Sequence, residues 1–246
     1  MNLKDVFPLR LRASARNNAC KSDRHLPLAL LPLLLLLLAV PGLDAADTTI
    51  TLDDFQHGMN KGWREKVFKG KTHYQATEKD GLPCIAAVSQ ASASGLVHEI
   101  SLDPDAMPIL AWQWRVDHVL VKGDATRKSG DDYPARVYVV FPSHLFWRTR
   151  ALNYIWDNRL PKGTIIANAY TKNAMMVVVE SGAENTGKWV REERNIREDF
   201  IKAFGEPPPR IGAIAIMTDT DDTGETARAW YGPIRIMKKS EGKHSN

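Results

Sequence analysis

The strongest constraint on this chain is a rhythm of short apolar runs broken by turn signals. Lys69-Gly70 separates Trp63–Phe68 from Lys71–Thr77, Lys79-Asp80-Gly81 leads into Leu82–Ser89, and Asp103-Pro104 closes Gly95–Leu102. Thr48–Leu52 precedes them, and Ile109–Val116, Ala135–Phe141, Met175–Glu180, Trp189–Arg194, Ile211–Thr218 and Ala229–Ile236 follow. About ten strands at this spacing predict a mainly-β chain, a two-sheet jelly-roll-like β-sandwich rather than a βαβ fold. Alternation places Leu110, Trp112, Trp114 and Val116 on one face of a strand, and Val137, Val139 and Phe141 on one face of another. Met175–Val179 and Ile211–Met217 are apolar on both faces, so these strands belong in central, covered positions. One short helix is expected at about 195–204. Asn195 caps it, Glu198 sits at the third helical position, Ile196, Phe200 and Phe204 form a stripe, and Gly205 and Pro207–Pro209 stop it. A second helical turn fits Ala151–Asn158.

The N-terminus has the layout of a secretory signal peptide. A basic segment with Lys4, Arg10, Arg12, Arg16, Lys21 and Arg24 precedes the apolar run Leu26–Val40, and Pro41-Gly42 breaks that run before Ala45. The run is shorter than the roughly 20 apolar residues a spanning helix needs. A cut after Ala45 divides the chain into a signal peptide (1–45), a β-sandwich domain (46–237) and a polar tail (238–246). The expected location is periplasmic or secreted, with no stable membrane span after cleavage; a retained N-terminal anchor is the alternative. The leader holds six of the 33 Lys and Arg and three of the 29 Asp and Glu, so the mature chain is close to neutral. Nothing in that balance calls for a nucleic-acid partner. Cys84 is the one cysteine after the leader. Its apolar surroundings suit an inert buried thiol, and no intrachain disulfide is available to the mature domain.

Several segments occur together in a familiar order. They are Gly62-Trp63 with Tyr74, Ser94-Gly95-Leu96, Trp112-Gln-Trp-Arg115, Gly130-Asp-Asp-Tyr-Pro-Ala-Arg-Val-Tyr138, Tyr154-Ile-Trp156, Trp189 and Met217-Thr-Asp-Thr-Asp221. In this order they resemble the bacterial family known as domain of unknown function 3047, over about Phe55 to Ile236. The family has no assigned activity, so the resemblance implies no chemistry. The edges of the domain, Asp53-Asp54-Phe55 and Trp230–Ile236, look like those of galactose-binding-type jelly rolls, a likeness of fold that transfers no ligand.

Two acidic loops are candidate sites. In the first, Asp131 and Asp132 lead into a strand on which Arg136 and Tyr138 share a face. Arginine supplies fork-like donors for a carboxylate, a phosphate or a sugar hydroxyl. The structural alternative pairs Arg136 with Asp131 or Asp132 to tie the loop to the sheet. In the second, Asp219, Asp221 and Asp222 precede Gly224, a set that could hold Ca²⁺ through hard oxygen ligands, or form a solvated hairpin loop. Position 12 of an EF-hand count falls on Trp230, which rules that motif out. No other cofactor is implied.

Trp147, Tyr154 and Trp156 crowd an irregular stretch and suit a sugar cleft, whereas Trp112 and Trp114 read as core. There is no Gly-x-Ser-x-Gly, His-Glu-x-x-His or Cys-x-x-Cys pattern. The leading expectation is a non-catalytic envelope β-sandwich. It would bind a glycan or similar polyhydroxylated ligand through Asp131, Asp132, Arg136, Tyr138, Tyr154 and Trp156. A glycan hydrolase pairing Asp132 with Asp219 or Asp222 is the alternative, and a structural assembly protein a third; the oligomeric state is left open. Protein recovered from the envelope or medium of an expressing bacterium should begin at Ala46 by N-terminal sequencing. A membrane-bound chain that keeps residues 1–45 would establish the anchored form instead.

Overall fold

A computed structural model describes residues 49–239. The signal peptide, the cut after Ala45 and the tail beyond Lys239 lie outside the described residues. The described chain forms the expected sandwich. One sheet runs β11 (Val190–Asn195), β6 (Ile109–Val116), β13 (Thr226–Met237), β4 (Leu82–Gln90), β3 (His73–Lys79), with β1 (Thr49–Asp53) also paired to β13. The second runs β2 (Trp63–Lys69), β5 (Ala93–Leu102), β12 (Ile211–Asp219), β7 (Arg136–Phe141), β8 (Arg150–Asp157), β10 (Ala174–Ser181), β9 (Ile165–Ala167). The pair β8–β10 is parallel and the others are antiparallel. Asp80 and Gly81 both take positive φ (53° and 77°) at the β3–β4 turn, the conformation a tight hairpin of this twist requires.

Register explains the core. In the second sheet Ile216 lies opposite both Leu96 and Val137, and Val137 opposite Tyr154, so these side chains share one face. That face packs on Leu110, Trp112, Trp114 and Tyr231 of the first sheet. Trp112 meets Trp114 edge-on at 5.4 Å and Tyr154 at 5.3 Å, while Trp114 lies 5.9 Å from Trp156. Trp112 and Trp114 are therefore core, as their alternation implies. Cys84 is buried as well, and burial pushes its thiol up to about 11, which suppresses thiolate chemistry at neutral pH.

The structure corrects one element. Ala151–Asn158 is not a helical turn: Arg150–Asp157 is the strand β8, paired on both sides and buried almost throughout. Leu152, Tyr154 and Trp156 point into the core and Ala151, Asn153 and Ile155 to the other face. Both faces are covered, and no polar alternation marks the strand. The helix falls where expected. α1 (Ile196–Phe204) is capped by the Asn195 side chain, which accepts from the Glu198 N–H at 3.1 Å, and it ends at Gly205 with φ 75°. Its Phe200 stacks 4.5 Å from Phe141, closing one end of the sandwich.

Glu192 sits opposite Trp112 at the β11 edge. Burial, then the nearby Glu180 charge, lifts its carboxyl to about 7, while Lys162 and Arg194 oppose the rise. The folded state therefore holds a proton that the unfolded chain releases at its ordinary value, so stability must fall as pH rises through the interval between the two. Thermal midpoints should drop between about pH 4.5 and about pH 7, and Glu192→Gln should flatten that slope. An unchanged slope in the variant would place the titrating group elsewhere.

Candidate functional site

The second sheet has a second face, turned away from the core. There Arg136 lies opposite Met217, and Met217 opposite Gly95; Tyr138 lies opposite Ala215, and Ala215 opposite Val97. On β5 and β12 this face carries Gly95, Ala213 and Ala215, with Val97 and Met217 beside them, where the inner face carries Leu96, Ile214 and Ile216. The small residues leave room above the sheet, and loops fill part of it. Ala125 and Tyr133 pack there on Ile155, Met176 and Val178.

The first acidic loop is built around a close approach. A side chain at Gly130 would place its Cβ 2.7 Å from the Asp124 backbone nitrogen, and Asp124 N–H donates to the Gly130 carbonyl at 2.8 Å. The turn sends Asp131 inward. Its carboxylate accepts from Asn168 Nδ2 at 2.8 and 2.9 Å and from the Tyr133 hydroxyl at 3.1 Å. Asp132 turns the other way, and its Oδ2 accepts from the backbone N–H groups of Asp222 (3.0 Å) and Thr223 (2.6 Å). The bonds from Asn168, Asp222 and Thr223 join the first acidic loop to neighbouring segments, and the bond from Tyr133 closes the loop on itself.

The second loop uses the period of a strand. Thr218 and Thr220 face the sandwich interior. Thr218 Oγ1 donates to the Pro134 carbonyl at 2.9 Å, and Thr220 Oγ1 meets Ser89 Oγ at 2.7 Å. Alternation puts Asp219 on the face that carries Met217 and Arg136. Asp219 Oδ2 accepts from Arg136 Nη2 in an ion pair whose two side chains are each 1 % exposed. The partner of Arg136 is thus Asp219, from the other acidic loop, rather than Asp131 or Asp132. The guanidinium lies 5.0 Å from the Tyr133 ring and 5.4 Å from the Tyr138 ring. Its Nε and Nη1 are buried without a hydrogen-bond acceptor.

These residues border a pocket of about 520 Å³ lined by Lys66, Phe68, Lys69, Asp131, Arg136, Tyr170, Asp219, Asp221 and Asp222 among others. Burial raises the carboxyls of Asp131, Asp219 and Asp221 above the usual range. Arg136 opposes the shift at all three, and neighbouring carboxylates add to it at Asp219 and Asp221. Burial is the largest single influence on the Arg136 guanidinium and would lower it, but Asp219, Tyr138, Asp131 and Tyr133 together outweigh that effect and raise it. The pocket joins fixed acceptors, unused buried donors and the Tyr170 ring, whose hydroxyl donates to Asp222 at 3.0 Å.

The other candidates are placed differently. Tyr138 lies beside the pocket, stacked on Arg136. Tyr154 and Trp156 are buried in the core and do not reach it: the Tyr154 hydroxyl donates to Asp199 at 3.0 Å and the Trp156 indole to the Gly182 carbonyl at 3.0 Å. Trp147 is 53 % exposed at a turn tip with Phe146 and Leu145 and does not line the pocket. Asp219 is committed to Arg136, so the carboxylates that cluster with oxygens near one another are Asp132, Asp221 and Asp222. Lys66, Lys69, Asn168 and Tyr170 were missed in the sequence. Lys66 could have been found from its alternation on β2, but Asn168 and Tyr170 sit in a loop with no periodic signal.

The arrangement defines a two-sheet sandwich with a polar pocket over the outer face of one sheet. The family model described as "Protein of unknown function (DUF3047)" matches residues 61–235, and the chain belongs to that family. A comparison with curated proteins finds no match. Among solved structures, the family 11 carbohydrate-binding module of Clostridium thermocellum is similar at 11 % identity, covering 77 % of this chain and 95 % of its own, with a TM-score of 0.39. A family 30 carbohydrate-binding module of a cellulosomal cellulase of Clostridium thermocellum is similar at 8 % identity, covering 78 % and 98 %, with a TM-score of 0.43. The xylan-binding module of family 15 is similar at 11 % identity, covering 78 % and 97 %, with a TM-score of 0.36.

Removing one partner of a buried ion pair leaves the other charge uncompensated. Arg136→Met should cost about 3–5 kcal/mol in urea denaturation. The double variant Arg136→Met/Asp219→Leu should recover a large part of that loss. Additive losses would mean that the two side chains do not depend on each other.

Proposed function

We propose that the protein is an exported, non-catalytic binding protein of the cell envelope, and that its pocket takes a glycan or a similar polyhydroxylated ligand. The observation that carries this reading is Arg136. Two of its buried nitrogens have no acceptor, and it borders a pocket whose other walls offer carboxylates, lysines and a tyrosine. A sugar hydroxyl both donates and accepts, so it suits walls of mixed polarity, and the volume is within the range of small-molecule sites. The leader supplies the argument for export. Among the described residues no helix is long and apolar enough to cross a membrane.

The hydrolase alternative finds less support. Asp219 is held by Arg136, which takes it out of proton transfer, and Asp132 Oδ2 is used on the turn at Asp222–Thr223. Calorimetric titration of the mature domain with peptidoglycan fragments, oligosaccharides and soluble polysaccharides tests the binding reading. One ligand class should bind, and Lys66→Ala, at the pocket wall, should weaken it roughly tenfold while leaving the fold intact. Silence across all three classes would sink the reading, and turnover of any ligand would replace it with the hydrolase.

A further inference from the structure

We propose that Asp132, Asp221 and Asp222 form a site for one divalent cation of the calcium class, joining the loop before β7 to the loop after β12. One carboxylate oxygen from each residue lies within 4.8 Å of the others. Oxygens at or below that separation can share an ion with metal–oxygen bonds of about 2.3–2.6 Å. The donors are all hard oxygens, which select calcium or magnesium over zinc or copper.

Acidic clusters are common without ions, and the argument therefore rests on Asp132. Its side chain is 2 % exposed. Oδ2 is taken by the N–H groups of Asp222 and Thr223, while Oδ1 is buried and receives no hydrogen bond. A buried carboxylate oxygen that receives no hydrogen bond from the chain is disfavoured unless another group, such as a cation, faces it. The two amide bonds fix the 221–223 backbone against Asp132, which keeps the Asp221 and Asp222 carboxylates beside its own. The Tyr170 hydroxyl fixes Asp222 further.

Local charge points the same way. Asp131, Asp132, Asp219, Asp221 and Asp222 crowd this corner, and Arg136 is spent on Asp219. Lys69 stands 3.8 Å from Asp221 Oδ2, but its side chain is 64 % exposed and carries a single, solvent-screened charge. A divalent ion would cancel most of the excess. Because Asp221 and Asp222 also line the pocket, ligand hydroxyls could complete the shell of the ion; that extension rests on the glycan reading, whereas the cation site does not.

The test uses chelator-stripped mature protein and the metals alone. CaCl₂ titrated calorimetrically should bind one ion per chain. It should also raise the thermal midpoint more than NaCl at equal ionic strength. TbCl₃ should give luminescence sensitised through Tyr170. Asp221→Asn and Asp222→Asn should each weaken Ca²⁺ about tenfold or more, with Asp105→Asn, outside the cluster, as the unaffected control. These two residues are less buried than Asp132, so the outcome does not hang on a variant that fails to fold. Absence of binding at about 10 mM CaCl₂, undiminished binding in Asp221→Asn/Asp222→Asn, or a preference for Mg²⁺ would overturn the proposal. Sugar binding is measured separately: Ca²⁺ binding without any glycan leaves the cation site standing and removes the glycan reading.

Discussion

The site depends on one interaction, the buried ion pair between Arg136 and Asp219. Taking both charges out of water costs several kcal/mol per ion, and a single contact between them offsets this only when the remaining donors and acceptors are satisfied. Here the remainder is uneven. Asp219 Oδ1 accepts a long 3.4 Å bond from the Tyr133 N–H, and Tyr133 and Tyr138 offer ring faces to the guanidinium. Two arginine nitrogens are left over. An apolar pair of the same volume would stabilise the sheet better. The pair thus fixes β7 against β12 at a desolvation cost that its own hydrogen bonds only partly offset.

The pair sits where it does because the two faces of the second sheet are built differently. Bulky aliphatics on the inner side of β5 and β12 fill the space between the sheets. On the outer side Ala93, Gly95, Ala213 and Ala215 keep a low surface, above which Arg136 and Tyr138 rise from β7. Gly95 admits no larger residue comfortably, since a Cβ there would stand 3.2 Å from the Ile216 carbonyl oxygen. The loops over this surface are tied down by polar bonds as well as by the apolar packing of Ala125 and Tyr133. Asp131 is held by Asn168, Asp132 holds the turn at Asp222–Thr223, and Tyr170 holds Asp222. A network of this kind orients its members at the cost of stability.

Much of this was legible in the chain. Alternation located the strands and put Val137 and Val139 inside and Arg136 and Tyr138 outside; Asn195, Glu198 and Gly205 located the helix. Two things were not legible. β8 reads ambiguously because it is buried on both faces, and its Asn153, Asp157 and Asn158 imitate the polar punctuation of a loop. Tyr154 and Trp156 accordingly looked like cleft aromatics when they are core. The partner of Arg136 was also hidden. Its sequence neighbours Asp131 and Asp132 were the natural choice, yet Asp219 is 83 residues away and is brought near only by the register of β12 on β7. Local pattern fixes which face a residue occupies, but not which distant residue shares that face.

The same register gives the two acidic loops their common corner. β7 and β12 are antiparallel neighbours, so the segment entering β7 and the segment leaving β12 lie at one end of the sheet. Thr-Asp-Thr-Asp-Asp222 on one strand end and Gly-Asp-Asp-Tyr133 on the other then place five carboxylates within a small volume. Asp219 is paired with the Arg136 charge, and Asp131 is held by hydrogen bonds from Asn168 and Tyr133. Asp132, Asp221 and Asp222 have only backbone amides, Tyr170 and an exposed lysine. Among the described residues Cys84 is the one cysteine, so no disulfide within them ties these loops together. Like charges gathered at a seam between two loops would otherwise push the seam apart. The imbalance is thus a consequence of strand order, and it gives the corner a use for a positive charge from outside the chain.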